Sequence, residues 1–441
     1  MLSVMLRNSF LTFFMIISSL SSSAQDLLTL EEAVRVALEN NYSIQIVRNN
    51  QRIADNNNSF GNYGFLPSVD AGISDQENRN SQETVRSDGT VREGDGLKSD
   101  NLSADIRLNW TIFDGFRMFV TRDRLAQEES VAQLETAAAV ANLVAIVTSV
   151  YYGIVQQEKL AEVTRQSMEL SRRRKQISDD KIRIGSGSRL MLLQSQVDFN
   201  ADSAVLIKRL VDSEKAKAQL NRLINRDIRT DFSVVDDVVI DNQIGYDQLL
   251  TLMKAQNPNL QVAQINRKIA DLEVKGFKSQ YYPQLDVFAA YEYSKTNFPA
   301  GFSFNQNSTR NGSLFGFRVS WNLFNGTYIS PNLQSAKIQV VTSELQYKDN
   351  EQLLSGELYE AFKDYEANLK LVRLETNNLE LAKENVRIAL EQYQLGVIND
   401  IDLRAIQLKQ VESETNLLVS QFLAKQSEIQ LKLISGTLTV N

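Results

Sequence analysis

The 441-residue chain contains no cysteine and no histidine. Without cysteine there is no disulfide framework, no thiolate nucleophile and no lipid-modified N-terminal cysteine. Without histidine the commonest general base and the commonest transition-metal ligand are missing. An enzyme built on this chain would have to work with carboxylates and lysines alone. Proline is scarce, with five residues in all. The net charge of −7 with 43% hydrophobic residues suits a folded soluble or peripheral surface and not a nucleic-acid binder. Beyond the N-terminus no stretch reads as a run of eighteen apolar residues, which predicts no membrane-spanning helix.

The first 24 residues read as a secretory signal peptide. Arg7 precedes an apolar run from Phe10 to Ile17, and Ser22-Ser-Ala24 offers a small-residue cleavage site before Gln25. The run is too short for a spanning helix. A buried N-terminal helix is the alternative.

What the chain does have is a pattern written twice. From Leu102 to Gly115, apolar or small residues Leu102, Ala104, Ile106, Leu108, Trp110 and Ile112 alternate with Ser103, Asp105, Arg107, Asn109 and Thr111. This period of two predicts a strand with one apolar and one polar face. The event recurs 211 residues later, where Phe315, Phe317, Val319, Trp321 and Leu323 alternate with Gly316, Arg318, Ser320 and Asn322. Trp321-Asn-Leu-Phe-Asn-Gly326 repeats Trp110-Thr-Ile-Phe-Asp-Gly115. Upstream, Pro283-Gln-Leu-Asp286 repeats Pro67-Ser-Val-Asp70 at an offset of 216. The chain is a tandem duplication, with repeats expected over residues 25–243 and 244–441.

Each repeat predicts the same order of elements. A first helix opens on a capping box, Thr29 with Glu32. Strands follow at about 67–76 and 102–113, and again at about 283–294 and 314–324. Polar loops are expected at 76–101 and 295–313, the second carrying Phe298, Phe302 and Phe304. Long helices then run over about 118–184 and 332–395, each on the order of 95–100 Å at 1.5 Å per residue. They reverse at glycine turns, about 184–189 and 395–400, into heptad-patterned return helices. The return helix at 190–224 plus the next helix at 246–279 match the long helix in length. The two are therefore expected to stack end to end beside it, with segment 225–245 bulging from the side.

Four strands do not close a barrel, since single-chain outer-membrane barrels start at about eight. The strands nevertheless show the alternation and aromatic ends of a lipid-facing wall, with Ile106, Leu108, Trp110, Phe317, Val319 and Trp321 toward lipid. Asp70, Asp105, Arg107, Asn109, Asp286, Arg318 and Asn322 would then line water. Sharing one barrel among subunits reconciles the two; a small soluble sandwich is the alternative. Asp236-Asp237 with Asp241 reads as solvated acidic caps in preference to a metal site, and Arg172 to Lys175 as a solvated helix face. No catalytic, metal or cofactor site emerges.

Thr29-Leu-Glu-Glu-Ala33 followed by Ala37-Leu-Glu-Asn-Asn41, the paired Pro-x-x-Asp sites, the two Trp-x-x-Phe-[Asp/Asn]-Gly motifs and the turns at Ile184-Gly185 and Tyr393-Gln-Leu-Gly396 resemble the TolC family of outer-membrane efflux proteins. The resemblance covers nearly all of the chain after residue 24. It implies a mainly α fold with a β-barrel portion: long antiparallel helical hairpins and four membrane strands per chain. A homotrimer would form a twelve-stranded barrel on a periplasmic α-barrel, with both termini in the periplasm. It further implies a passive duct for small molecules or secreted protein. The duct would dock a periplasmic adaptor tied to an inner-membrane pump of RND or ABC type, through Ile184, Gly185, Ser186, Leu395, Gly396 and Val397. The family's closing contacts point to Tyr393 and Asp402, but Ile398 stands where a basic residue is expected, so the gate rests on other contacts. A poreless periplasmic scaffold or adaptor is the competing reading.

Overall fold

The computed structural model describes residues 26–235, 237–300, 302 and 305–438. The expected signal peptide, Asp236 and Phe304 lie outside these. The chain forms two compact units. One takes residues up to Arg48, Thr136–Pro258 and Glu351 onward; the other takes Asn49–Glu135 and Asn259–Asn350. Each unit draws on both sequence repeats.

Helices contribute to both units, and the first unit also holds two short strands. Helix α1 (Leu30–Asn40) starts where Thr29 Oγ1 accepts the Glu32 amide at 3.2 Å. The expected single first helix is broken, because Asn41 adopts an extended conformation before α2 (Tyr42–Asn57). A short α3 (Phe60–Tyr63) follows. The same break recurs at Asn257, between α6 (Tyr246–Gln256) and α7 (Pro258–Ser279). The physical reason is shared. Asn41 Nδ2 donates to the Leu223 carbonyl and Asn257 Nδ2 to the Ile434 carbonyl, both at 2.9 Å. Each side chain thus satisfies a carbonyl that the end of a return helix leaves open.

Those return helices are α5 (Arg189–Leu223) and α9 (Asp400–Ser435), which follow the long α4 (Arg117–Arg183, 67 residues) and α8 (Ile329–Gln394, 66 residues). The bonds correct the expected stacking. The end of α5 meets the α1–α2 junction of its own repeat, not the start of the next helix pair. The end of α9 likewise meets the α6–α7 junction. The length match that suggested the other pairing was blind to the two asparagines.

Segment 225–245 is tied down closely. Strand β4 (Phe232–Val234) pairs in parallel with β1 (Asp26–Leu28). Tyr151 Oη on α4 bridges them, donating to Leu28 O at 2.9 Å and accepting the Val235 amide at 2.9 Å. Farther along, the buried Glu428 carboxylate accepts the Asp241 amide at 3.1 Å between Lys425 and Lys432. The Tyr365 hydroxyl donates to Asp241 O. The surrounding core joins Val147, Ile154 and Val155 of α4 to Val34 and Ala37 of α1, Leu220 of α5 and Phe232. By length and composition alone, α4 carries, among the described residues, one stretch apolar enough to cross a membrane, which the count of consecutive apolar residues overlooks. Several residues of this core, Leu143, Val144 and Val147 among them, belong to α4.

The second unit contains a four-stranded antiparallel sheet in the order β2-β3-β5-β6. Its strands are β2 (Ser68–Val85), β3 (Val91–Phe113), β5 (Gln284–Asn297) and β6 (Asn307–Ser320). The expected loop at 76–101 is instead a ribbon of β2 and β3, reversed by a turn in which the Arg86 amide donates to Thr90 O at 2.9 Å. Hydrophobic periodicity gives no signal there, since both faces are polar. The second loop shortens to 298–306 for the same reason. Strand β6 stops at Ser320, short of the expected 324, and the chain then turns at Gly326 and Thr327, both with φ above 60°. Gly115 and Phe116 make the matching turn. A Cβ on Gly115 would sit 2.2 Å from Ser279 O, so only glycine fits.

Candidate functional site

Register decides the two faces of the sheet. Opposite partners share a face in antiparallel pairing. Ile106 faces Tyr291, Leu108 faces Ala289 and Trp110 faces Val287, which in turn faces Phe317; Val319 faces Leu285. All five predicted strand positions therefore fall in one apolar layer, and the described chain leaves it uncovered: Phe317 is 73% exposed and Ile106 57%. Trp321, the sixth, lies just past β6. Both tryptophans use their indole N–H in the same way, Trp110 on Phe65 O at 2.8 Å and Trp321 on Tyr281 O at 3.1 Å. The acceptors precede the two strand-opening prolines.

The opposite face gathers the predicted polar set. Asp70 pairs with Arg107, Asp105 with Glu292, Asn109 with Phe288 and Asp286 with Arg318. Arg107 bridges Asp105 at 3.0 Å and Glu292 at 3.6 Å. Thr111 Oγ1 donates to Asp286 at 2.7 Å. Asn322 is not in this layer, because β6 ends two residues before it. Sequence reasoning missed Phe288, an aromatic on the polar face. Its ring lies over Gly316, where a Cβ would approach it to 2.9 Å, and Arg318 stands 5.5 Å from its centroid. Glycine opposite an aromatic was the available signal.

At the helical turns the glycines do what reversal requires. Gly185 and Gly396 have φ of 74° and 76°. The Gly185 amide donates to Ile182 O and the Ser186 amide to Lys181 O; Gly396 and Val397 repeat this on Tyr393 and Gln392. This double bond pattern closes the helix ends. Ser188 and Asn399 then cap the return helices through their side chains. Ile184, Leu395 and Val397 are 78%, 80% and 69% exposed. The residues expected to form a docking rim are thus free of intrachain packing.

The expected gate pair is not brought together. Tyr393 is 1% exposed, packed with Ala389, Leu403 and Ile398, while Asp402 is exposed. The apolar residue at position 398 therefore belongs to a small core. Burial, and then the neighbouring Asp400, push the Tyr393 hydroxyl up. Lys181 of α4 lies 4.3 Å from the Tyr393 ring centroid.

Beside this core is a buried ion network that the sequence did not reveal. Arg174, read as part of a solvated basic run, is 1% exposed. Its Nη2 and Nε reach Asp400 at 2.5 and 3.0 Å, and its Nη1 reaches Asp198 at 3.2 Å. Arg404 forks onto Asp202 at 2.7 and 2.9 Å and takes Ser171 Oγ at 3.1 Å. Residues of α4, α5 and α9 are joined in one cluster. Burial alone would raise the Asp202 carboxyl; Arg404 and Ser171 outweigh it and hold that carboxyl below the usual range. Arginine's planar fork suits such bidentate burial, and its position within a basic run hid the role.

Comparison with known proteins now bears on these sites. The family model described as Outer membrane efflux protein matches residues 33–226 and 249–437. Among solved structures, the Campylobacter jejuni CmeC outer membrane channel superposes with a TM-score of 0.78 at 14% identity, over 92% of this chain and 85% of that one. The Vibrio cholerae outer membrane protein VceC gives 0.74 at 15% identity, over 92% and 96%. The open state of the Neisseria gonorrhoeae MtrE outer membrane channel gives 0.72 at 17% identity, over 92% and 89%. No curated protein matches the sequence significantly. With both halves of the duplication inside the family match, the chain belongs to the outer membrane efflux protein family, the outer-membrane channels of multicomponent export systems.

Proposed function

We propose that three copies of this chain close a twelve-stranded barrel in the outer membrane, with Asp70, Asp105, Arg107, Asn109, Asp286 and Arg318 lining its water-filled lumen. The observation that carries this reading is the sheet itself. Strands β2 and β6 each pair on one side only, and the apolar layer of Ile106, Phe317 and Val319 has no cover within the described chain. Open edges and an uncovered apolar face are both resolved when subunits join edge to edge in lipid. Ile106, Leu108, Trp110, Phe317 and Val319 then meet lipid, with Trp321 and Trp110 at its boundary.

The helical hairpin turns and both termini lie in the periplasm. There the exposed Ile184, Leu395 and Val397 receive the helices of a periplasmic adaptor, which links the duct to an inner-membrane pump of RND or ABC type. Closing contacts rest on the Arg174–Asp400 and Arg404–Asp202 pairs, which tie the α4/α5 hairpin to α9. Transport is passive, along the lumen.

The test is at the turns. Leu395→Glu and Val397→Lys should abolish export and cross-linking to the adaptor while leaving oligomer assembly and membrane insertion intact. If these variants fail to assemble, the turn is a folding element and the docking role falls.

A further inference from the structure

The described residues of the loop between β5 and β6 do not hang free. The Phe298 amide donates to Gln306 O at 2.9 Å, closing its base, and the Phe302 amide reaches Pro299 O at 3.3 Å. The Phe302 ring then seats on β3. A Cβ built on Gly94 would lie 2.5 Å from Phe302 Cζ and 2.8 Å from Leu97 Cδ2. Gly94, Leu97 and Phe302 are each partly buried within a ribbon that is otherwise mostly exposed.

The face on which the ring sits follows from register. Alternation along β3 from Asp105 and Arg107 carries Ser103, Asn101, Ser99 and Leu97 to the polar face. Asn101 shows this directly, accepting from Ser294 Oγ at 3.2 Å and Thr296 Oγ1 at 2.8 Å. The pairing is regular as far as Asn80 with Leu97, and the irregularity follows only between Asn80 and Gln82. Phe302 and Leu97 converge on one point, so the aromatic ring lies on the polar side of the ribbon. An apolar pair there has no lipid to meet and must cover itself.

We propose that Phe302 straps the β5–β6 loop inward across the outer end of the polar face, and that this strap sets the largest solute admitted to the channel from outside. The inference rests on the reading that the polar face lines a lumen. Gly94 is the device that permits it: the missing side chain leaves a notch for the ring. Any larger residue there evicts the end of a flexible side chain instead of moving backbone. Three straps, one from each copy, narrow the mouth together, while wide solutes leaving the duct push the loops aside.

The absence of native cysteine makes the test free of background. Asn109→Cys places one thiol on the polar face. Whole cells are treated from outside with a small charged maleimide and with a bulky polyethylene-glycol maleimide, in the parent, with Phe302→Ala, and with Gly94→Val. Labelling by the small reagent reports assembled channels in all three. The expected result is that bulky labelling rises severalfold in both strap variants while small-reagent labelling holds steady. Unchanged bulky labelling in both variants overturns the strap and leaves the lumen standing. If the small reagent fails to reach Asn109→Cys in any background, the lumen reading falls and the strap with it.

Discussion

Arg174 is the residue whose environment most exceeds what its neighbours in sequence suggest. Its guanidinium is enclosed with the Asp400 carboxylate, which is itself 2% exposed. Removing one partner of such a pair strands the other without solvent, at a cost of about 3–5 kcal/mol. Arg174→Met should therefore lower the thermal midpoint of helix loss, followed by circular dichroism, far more than Arg172→Met. Arg172 is half-exposed, with Glu169 of its own helix as its ion-pair partner and the Phe199 ring of α5 5.7 Å away. The neighbouring Asp202 adds a pH dependence. Its folded-state pKa lies below the unfolded value of about 3.9. The stabilisation it gives is present above that value and is lost as pH falls through the lower folded one. The melting midpoint should drop on strong acidification, and Asp202→Asn should flatten that drop. A parallel fall in the variant would show that Asp202 is not the group responsible.

Among the elements, the sheet and the broken helices carry separate expectations. If the apolar layer faces lipid, Ile106→Arg or Val319→Arg costs about 2–4 kcal/mol near the bilayer midplane, while Asn109→Ser costs little. Denaturant titration of protein folded into vesicles measures both, and equal tolerance on the two faces would contradict the membrane assignment. At the helix junction, Asn257→Leu leaves the Ile434 carbonyl buried without its donor, a loss of about 1–3 kcal/mol. The strands, the long hairpins and the glycine turns were legible in the sequence because each has its own period or turn residue. The breaks at Asn41 and Asn257 were not, since their cause is a carbonyl 182 residues away in one case and 177 in the other. The β2–β3 ribbon escaped notice because a strand wet on both faces carries no hydrophobic period. The Arg174 cluster escaped because burial of a charge depends on partners from other helices, which one-dimensional spacing does not display. Tyr393 was singled out by resemblance, but its partners in space are Ile398 and Leu403, not Asp402.

For the whole molecule, duplication is the organising fact. Asn41 and Asn257, Trp110 and Trp321, Gly185 and Gly396 each repeat one bond or one turn in the two halves. Among the described residues the two halves together build a four-stranded sheet with two open edges. Strand count alone allows several ring sizes; the proposed trimer gives twelve strands, an even number with no edge left. Native mass spectrometry of the detergent-extracted protein tests this most directly. The account predicts a main species of three chains that persists under mild activation. A monomer, or any other stoichiometry, as the main species would contradict it.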